Sequence, residues 1–143
     1  MANWVPYDSF KLRQYNGNAL DFDTGATLKL MLVTSAYTPI RASHDFKDDL
    51  GATEVTGTNY TAGGTACANK TLTIVANILT FDADDITFVQ NAGGFANARF
   101  AILYNDTGTA STSALVAYAD LTIDRGNVEG DLVLRFPDGI IAT

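Results

Sequence analysis

Asp82, Asp84 and Asp85 fall within four consecutive positions, and Asp21 with Asp23 forms a second Asp-x-Asp pair. Crowded carboxylate oxygens are the ligands a hard cation such as Ca²⁺ takes, yet neither group has the spacing of an EF-hand loop or its distal bidentate glutamate. Aspartates also favour turns, because a short carboxylate accepts hydrogen bonds from nearby backbone amides. The turn reading is preferred. No metal or other cofactor is expected, and Asp82, Asp84 and Asp85 remain secondary cation candidates.

Covalent catalysis needs a nucleophile beside a base, and with one histidine every such scheme runs through His44. His44 lies in an Asp-rich stretch, far in sequence from Cys67 and outside any G-x-S-x-G elbow. An exposed loop histidine and a small buried thiol are expected instead. Glu54 and Glu129, the two glutamates, have nothing in the sequence to set them across a cleft as a glycosidase pair. The glycines form no G-x-G-x-x-G and no G-K-[ST]; Gly63-Gly64 and Gly93-Gly94 fall between predicted strands and read as turns or bulges. No catalytic residue is assigned, and the chain is not expected to be an enzyme.

The periodicity shows which elements hold these residues. From Pro6 to Tyr15, Tyr7, Phe10, Lys11 and Gln14 recur at helical spacing behind a proline suited to a first turn, with Asn16-Gly17 as a stop. One short helix is predicted there. From Ala26 to Thr34 the period becomes two, setting Leu28, Leu30 and Leu32 against Thr27, Lys29, Met31 and Val33, as in a strand. Residues 35–65, rich in Gly, Ser, Asp, Asn and Thr, are expected to form a long loop. Within it, Ser43 to Leu50 is expected to make a turn or two of helix capped by Ser43, and Glu54 to Thr56 a short edge strand.

Further strands are predicted at Lys70 to Val75, Ile78 to Phe81, Ile86 to Gln90, Ala98 to Asn105, Ser113 to Leu121 and Asp131 to Phe136, separated by turn-forming groups. This spacing predicts an all-β fold, an antiparallel β-sandwich of jelly-roll type with a short N-terminal helix and one long loop. Ala98 to Asn105 and Ser113 to Leu121 are apolar on both faces, so the helix, the long loop or a neighbouring subunit must cover them. One domain spans 1–143, with an arm and helix at 1–24, the long loop at 35–65 and a C-terminal tail at 137–143.

Of the 143 residues, 47% are apolar and 17% charged, the balance of a folding chain. Nine Lys and Arg against sixteen Asp and Glu leave a net charge of −7, which repels nucleic-acid phosphates and anionic lipid heads. Neither nucleic acid nor a membrane is an expected partner. No secretion signal and no membrane span are expected either. Aromatic residues gather near the start (Trp4, Tyr7, Phe10, Tyr15) and in the long loop (Tyr37, Phe46, Tyr60). The helix aromatics are expected to pack on the two-faced strands, and Trp4, Tyr37 and Tyr60 to be exposed and suited to an interface.

Several phrases occur in an order that resembles a known group: Leu30 to Pro39 (LMLVTSAYTP), His44 to Leu50 (HDFKDDL), Glu54 to Gly64 (EVTGTNYTAGG), Phe81 to Phe88 (FDADDITF) and Ala101 to Thr109 (AILYNDTGT). The chain resembles small virion structural proteins of tailed bacteriophages, of the head-decoration or capsid-cement type. The resemblance implies a non-enzymatic, oligomeric β protein made in the host cytoplasm. It would bind the major capsid protein and copies of itself on the outer capsid surface. The alternative is a tail- or fibre-associated virion protein that contacts the host surface or other tail proteins. Since termini and long loops are the parts a sandwich leaves over, the expected contact residues are Trp4, Val5 and Tyr7 of the arm, Tyr37, Phe46 and Tyr60 of the loop, and Ile140 and Ile141 of the tail.

Overall fold

Leu28, Leu30 and Leu32 point to one side of strand β2 (Leu28–Val33), while Met31 and Val33 point to the other, and both sides are buried. The computed structural model describes residues 4–17 and 26–136, together with the backbone of 140–142. In it β2 belongs to a five-stranded antiparallel sheet in the order β1-β8-β7-β2-β3, with β1 Trp4–Pro6, β3 Thr65–Ala66, β7 Ala98–Asn105 and β8 Leu115–Arg125. A second layer consists of a three-stranded sheet, β10-β5-β4, and a two-stranded one, β6-β9. These strands are β4 Thr71–Val75, β5 Ile78–Asp82, β6 Ile86–Phe88, β9 Leu132–Leu134 and β10 Ile140–Ala142.

The two layers meet where Phe81, Ile86, Phe88, Phe95, Leu134 and Phe136 pack on Leu28, Leu30, Leu32, Ala101 and Leu103. The fold is therefore all-β and antiparallel with one short helix, α1 (Asp8–Arg13), and one long loop. The second layer differs from a jelly roll, which sets one continuous sheet against another. After β5 the Asp82 carboxylate accepts the Ala83 N–H at 2.8 Å, and the chain turns out of the three-stranded sheet before β6 begins.

The outer face of the large sheet is closed by the chain itself. Tyr7, Tyr37 and Leu50 pack on Met31, Val33, Ile102, Tyr104 and Leu115, so the approach to α1 and the long loop provide the cover. Simple alternation misplaces one residue here, because it opposes Leu115 to Tyr118. The pairing runs Leu103↔Ala117 and then Tyr104↔Leu115, so Val116 is an extra residue, and this bulge lets Leu115 and Tyr118 share a face. The Val116 carbonyl accepts the Tyr7 N–H at 3.0 Å.

Both expected free ends are strands. Residues 4–6 pair with 117–119 of β8, and Ile140, Ile141 and Ala142 pair with Phe81, Thr80 and Leu79 of β5, so these described residues of the arm and the tail are tied into sheets. Within the long loop, the helix predicted from Ser43 is a single 3₁₀ turn, Lys47–Leu50. Its N-cap is Phe46 rather than Ser43, and the Asp49 carboxylate inside the turn reaches back to accept the N–H groups of Asp45 at 2.8 Å and Phe46 at 3.3 Å. The predicted strand at Glu54 reduces to an isolated bridge with Val33.

Candidate contact surface

Among the residues expected to make contacts, Tyr7 and Tyr37 are corrected first: they are 0% and 3% exposed. Their hydroxyls lie 2.8 Å apart, and the Tyr37 hydroxyl lies 2.8 Å from His44 Nδ1. The Ile40 N–H, which can only donate, also reaches Nδ1 at 3.2 Å. Nδ1 is thus an acceptor, Tyr37 donates to it, and Tyr7 donates to Tyr37. Burial, with Tyr37 as its acceptor, holds the Tyr7 hydroxyl far above the usual phenol range; burial likewise pushes Tyr37 up to about 12. His44 is thereby the end of a structural relay that fastens the loop to the sheet.

This relay gives a direct test. Tyr37→Phe leaves the buried Tyr7 hydroxyl without its acceptor and is expected to cost about 1–3 kcal/mol, whereas the Tyr7→Phe/Tyr37→Phe pair removes both groups and recovers most of that loss. Urea unfolding of the two single variants and the double variant measures the coupling; additive losses would rule out the relay.

Trp4 is half-buried, stacked on Phe136 at 5.3 Å between ring centroids, with its Nε1–H donated to the Arg135 carbonyl at 3.3 Å. Val5 is half-buried within β1. Phe46 is half-buried, bridged to Ala114, with the Arg13 guanidinium over its ring at 4.9 Å. Tyr60, also half-buried, donates its hydroxyl to Glu54 Oε1 at 2.7 Å and accepts the Leu32 N–H at 3.1 Å. The expected exposure of Trp4, Tyr37 and Tyr60 is therefore not what the fold provides: the loop aromatics anchor the loop. The side chains of Ile140 and Ile141 lie outside the described residues. Tyr15, expected to pack with the other helix aromatics, is exposed.

The aspartate turn does not form a cation cage. Asp82 accepts the Ala83 N–H, Asp84 accepts from the Asn69 side-chain amide at 2.6 Å, and Asp85 pairs with Arg135 at 3.2 Å. Three carboxylates thus turn to three different partners, and no group of metal-ligating side chains converges among the described residues. The pair Asp21 and Asp23 lies outside the described residues. Cys67 is buried as expected, and burial pushes its thiol up to about 11.

The surface missed by sequence reasoning is the β4–β5 hairpin. Every residue of β4 is exposed, and Leu72, Ile74, Val75 and Ile78 lie open, Ile74 at 72%. Ala76 (φ 52°) and Asn77 (φ 67°) are both left-handed, the conformation of a two-residue hairpin turn. Register places Leu72 beside Phe81. Phe81 belongs to the core, and Ile74 is on the same face nearer the tip, so the core-facing side of the hairpin runs out past the core and ends uncovered. The signal was present: residues 71–81 contain no charge. Their reading as two ordinary strands conceals that neither side of β4 is buried.

Among the described residues no helix is long and apolar enough to cross a membrane. No family model matches the chain, and neither a curated protein nor a solved structure matches it.

Proposed function

We propose that this protein is a virion structural component of the cement or decoration type, which binds an assembled capsid shell and reinforces it. One observation supports this reading beyond the resemblance of those phrases to phage virion proteins. An uncharged aliphatic hairpin projects from a chain whose net charge is −7, and nothing in the described residues covers it. Burying such a surface against a neighbouring protein contributes about 25 cal/mol per Å² of apolar area. A protein that bridges subunits only when they are assembled stabilises the assembled state by mass action, and repetition around a shell makes modest single contacts sufficient. The contact elements move from the buried tyrosines to the hairpin.

The test adds purified protein to shells that lack it and measures occupancy and the temperature of shell rupture. Wild-type protein is expected to bind and to raise that temperature. Ile74→Lys with Val75→Lys, both at exposed positions, is expected to reduce occupancy at least tenfold without unfolding the protein. Wild-type protein that binds no shell, or binds isolated host cells instead, overturns the reading.

A further inference from the structure

We propose that β4 pairs edge to edge with β4 of a second copy, antiparallel about a twofold axis through Thr73, joining two three-stranded sheets into one of six. In the three-stranded sheet β5 is central, and among the described residues β4 is an edge strand paired only with β5. In a hairpin closed by the two residues Ala76 and Asn77, Val75 and Ile78 exchange both backbone bonds, and so, alternately, do Thr73 with Thr80 and Thr71 with Asp82. The N–H and C=O groups of Leu72 and Ile74 therefore point away from β5, and no described residue takes them. Only another extended strand can satisfy such a row in register.

The sequence of the strand selects its own copy as that partner. Rotation about Thr73 sets Leu72 opposite Ile74 of the second copy and Ile74 opposite its Leu72. These are the two pairs whose backbone groups face outward, so both close with full hydrogen bonding. The four aliphatic side chains then share one face, the face that runs out from the core. On the other face Thr73 meets Thr73 and Thr71 meets Val75, and a threonine pair is a favourable cross-strand neighbour. Lys70 falls opposite the uncharged Ala76, so no like charges oppose one another. Natural edges are usually guarded by lysine, proline or a bulge. Thr71–Val75 carries none of these, in an acidic chain whose copies otherwise repel.

The inference stands apart from the shell reading, and one set of variants separates them. Wild-type protein is expected to sediment as a dimer at high concentration. Thr73→Lys faces two ammonium groups across the axis and is expected to weaken the dimer at least a hundredfold, with the circular dichroism of the monomer unchanged. In a Cys67→Ala background, Thr73→Cys is expected to form an intermolecular disulfide on mild oxidation, since facing residues of a non-hydrogen-bonded pair bring Cα atoms to about 4.5 Å. Leu72→Cys, which does not face itself, is expected not to. A wild-type monomer, a dimer indifferent to Thr73→Lys, or equal crosslinking at both positions overturns the proposal. A monomer whose shell occupancy falls with Thr73→Lys also overturns it and assigns the edge to a shell protein. A Thr73-dependent dimer that ignores shells supports the pairing and sinks the shell reading alone.

Discussion

Asn127→Ala is expected to lower the stability of the fold by about 3–5 kcal/mol, with a fall of roughly 10 °C in the thermal midpoint. Asn127 is fully buried, and its side chain is a three-way tie. Oδ1 accepts the Phe95 N–H at 3.0 Å, and Nδ2 donates to the carbonyls of Val89 at 2.9 Å and Thr58 at 3.2 Å. Those partners belong to three separate segments: the long loop, the chain after β6 and the chain before β7. Alanine leaves the buried Phe95 N–H without its acceptor and the Thr58 carbonyl without this donor, while the Val89 carbonyl keeps only the Asn59 side-chain amide at 3.1 Å. Asn127→Asp keeps the acceptor for Phe95 but turns a carboxylate toward two carbonyls, so it is expected to be no milder. Urea unfolding and hydrogen exchange of the Phe95 amide check this; a loss below about 1 kcal/mol for Asn127→Ala would mean that another group satisfies the three partners.

A comparable loss, about 3–5 kcal/mol, is expected for Gly64→Ala, while Gly63→Ala is expected to cost only about 1 kcal/mol. Both glycines have φ of +88°, so the strain of a left-handed alanine is common to the two. What surrounds them differs. A Cβ on Gly63 meets only the Tyr104 hydroxyl, at 3.5 Å, whereas one on Gly64 runs into the carbonyl group of Leu30 and the Cα of Met31 at 2.9 Å. That obstruction is backbone of β2, which cannot swing aside, so β3 must separate from β2 just where Leu30 pairs with Thr65. Denaturant midpoints of the two variants measured side by side provide the check, and equal losses would discard the steric argument.

Much of the fold was legible in the sequence because the strands keep strict periods. Leu28, Leu30 and Leu32 against Met31 and Val33 mark a strand buried on both sides, and the structure places these two sets in the two separate clusters. The strands that could not be read are the short ones. Trp4–Pro6, Thr65–Ala66 and Ile140–Ala142 are two or three residues long, too few for any alternation to show, and they exist because a neighbour's edge is available. The bulge at Val116 is equally silent, since it depends on register with β7. The contact surface was misjudged for a related reason. Loop tyrosines usually lie at the surface, but Tyr37 and Tyr60 have hydroxyl partners, in His44, Glu54 and the Leu32 N–H, that only the folded chain brings near. Leu72, Ile74, Val75 and Ile78 have the composition of core residues, and the fold carries them past the core.

The pairing of Trp4 with Ala119 and of Ile141 with Thr80 has a consequence for how the molecule comes into being. A chain emerging amino end first exposes Trp4 and Tyr7 long before β8 has been synthesised. The outer cluster that Tyr7 closes must therefore wait, with Leu115 and the Val116 carbonyl that accepts the Tyr7 N–H still to come. Closing loops of that length comes before the contacts that reward it, so acquisition of the native state belongs to the slow, topology-limited class. During the delay the neutral stretch from Thr71 to Phe81 is already out and unshielded. Crowded nascent chains would then meet through the same strand that the mature protein presents.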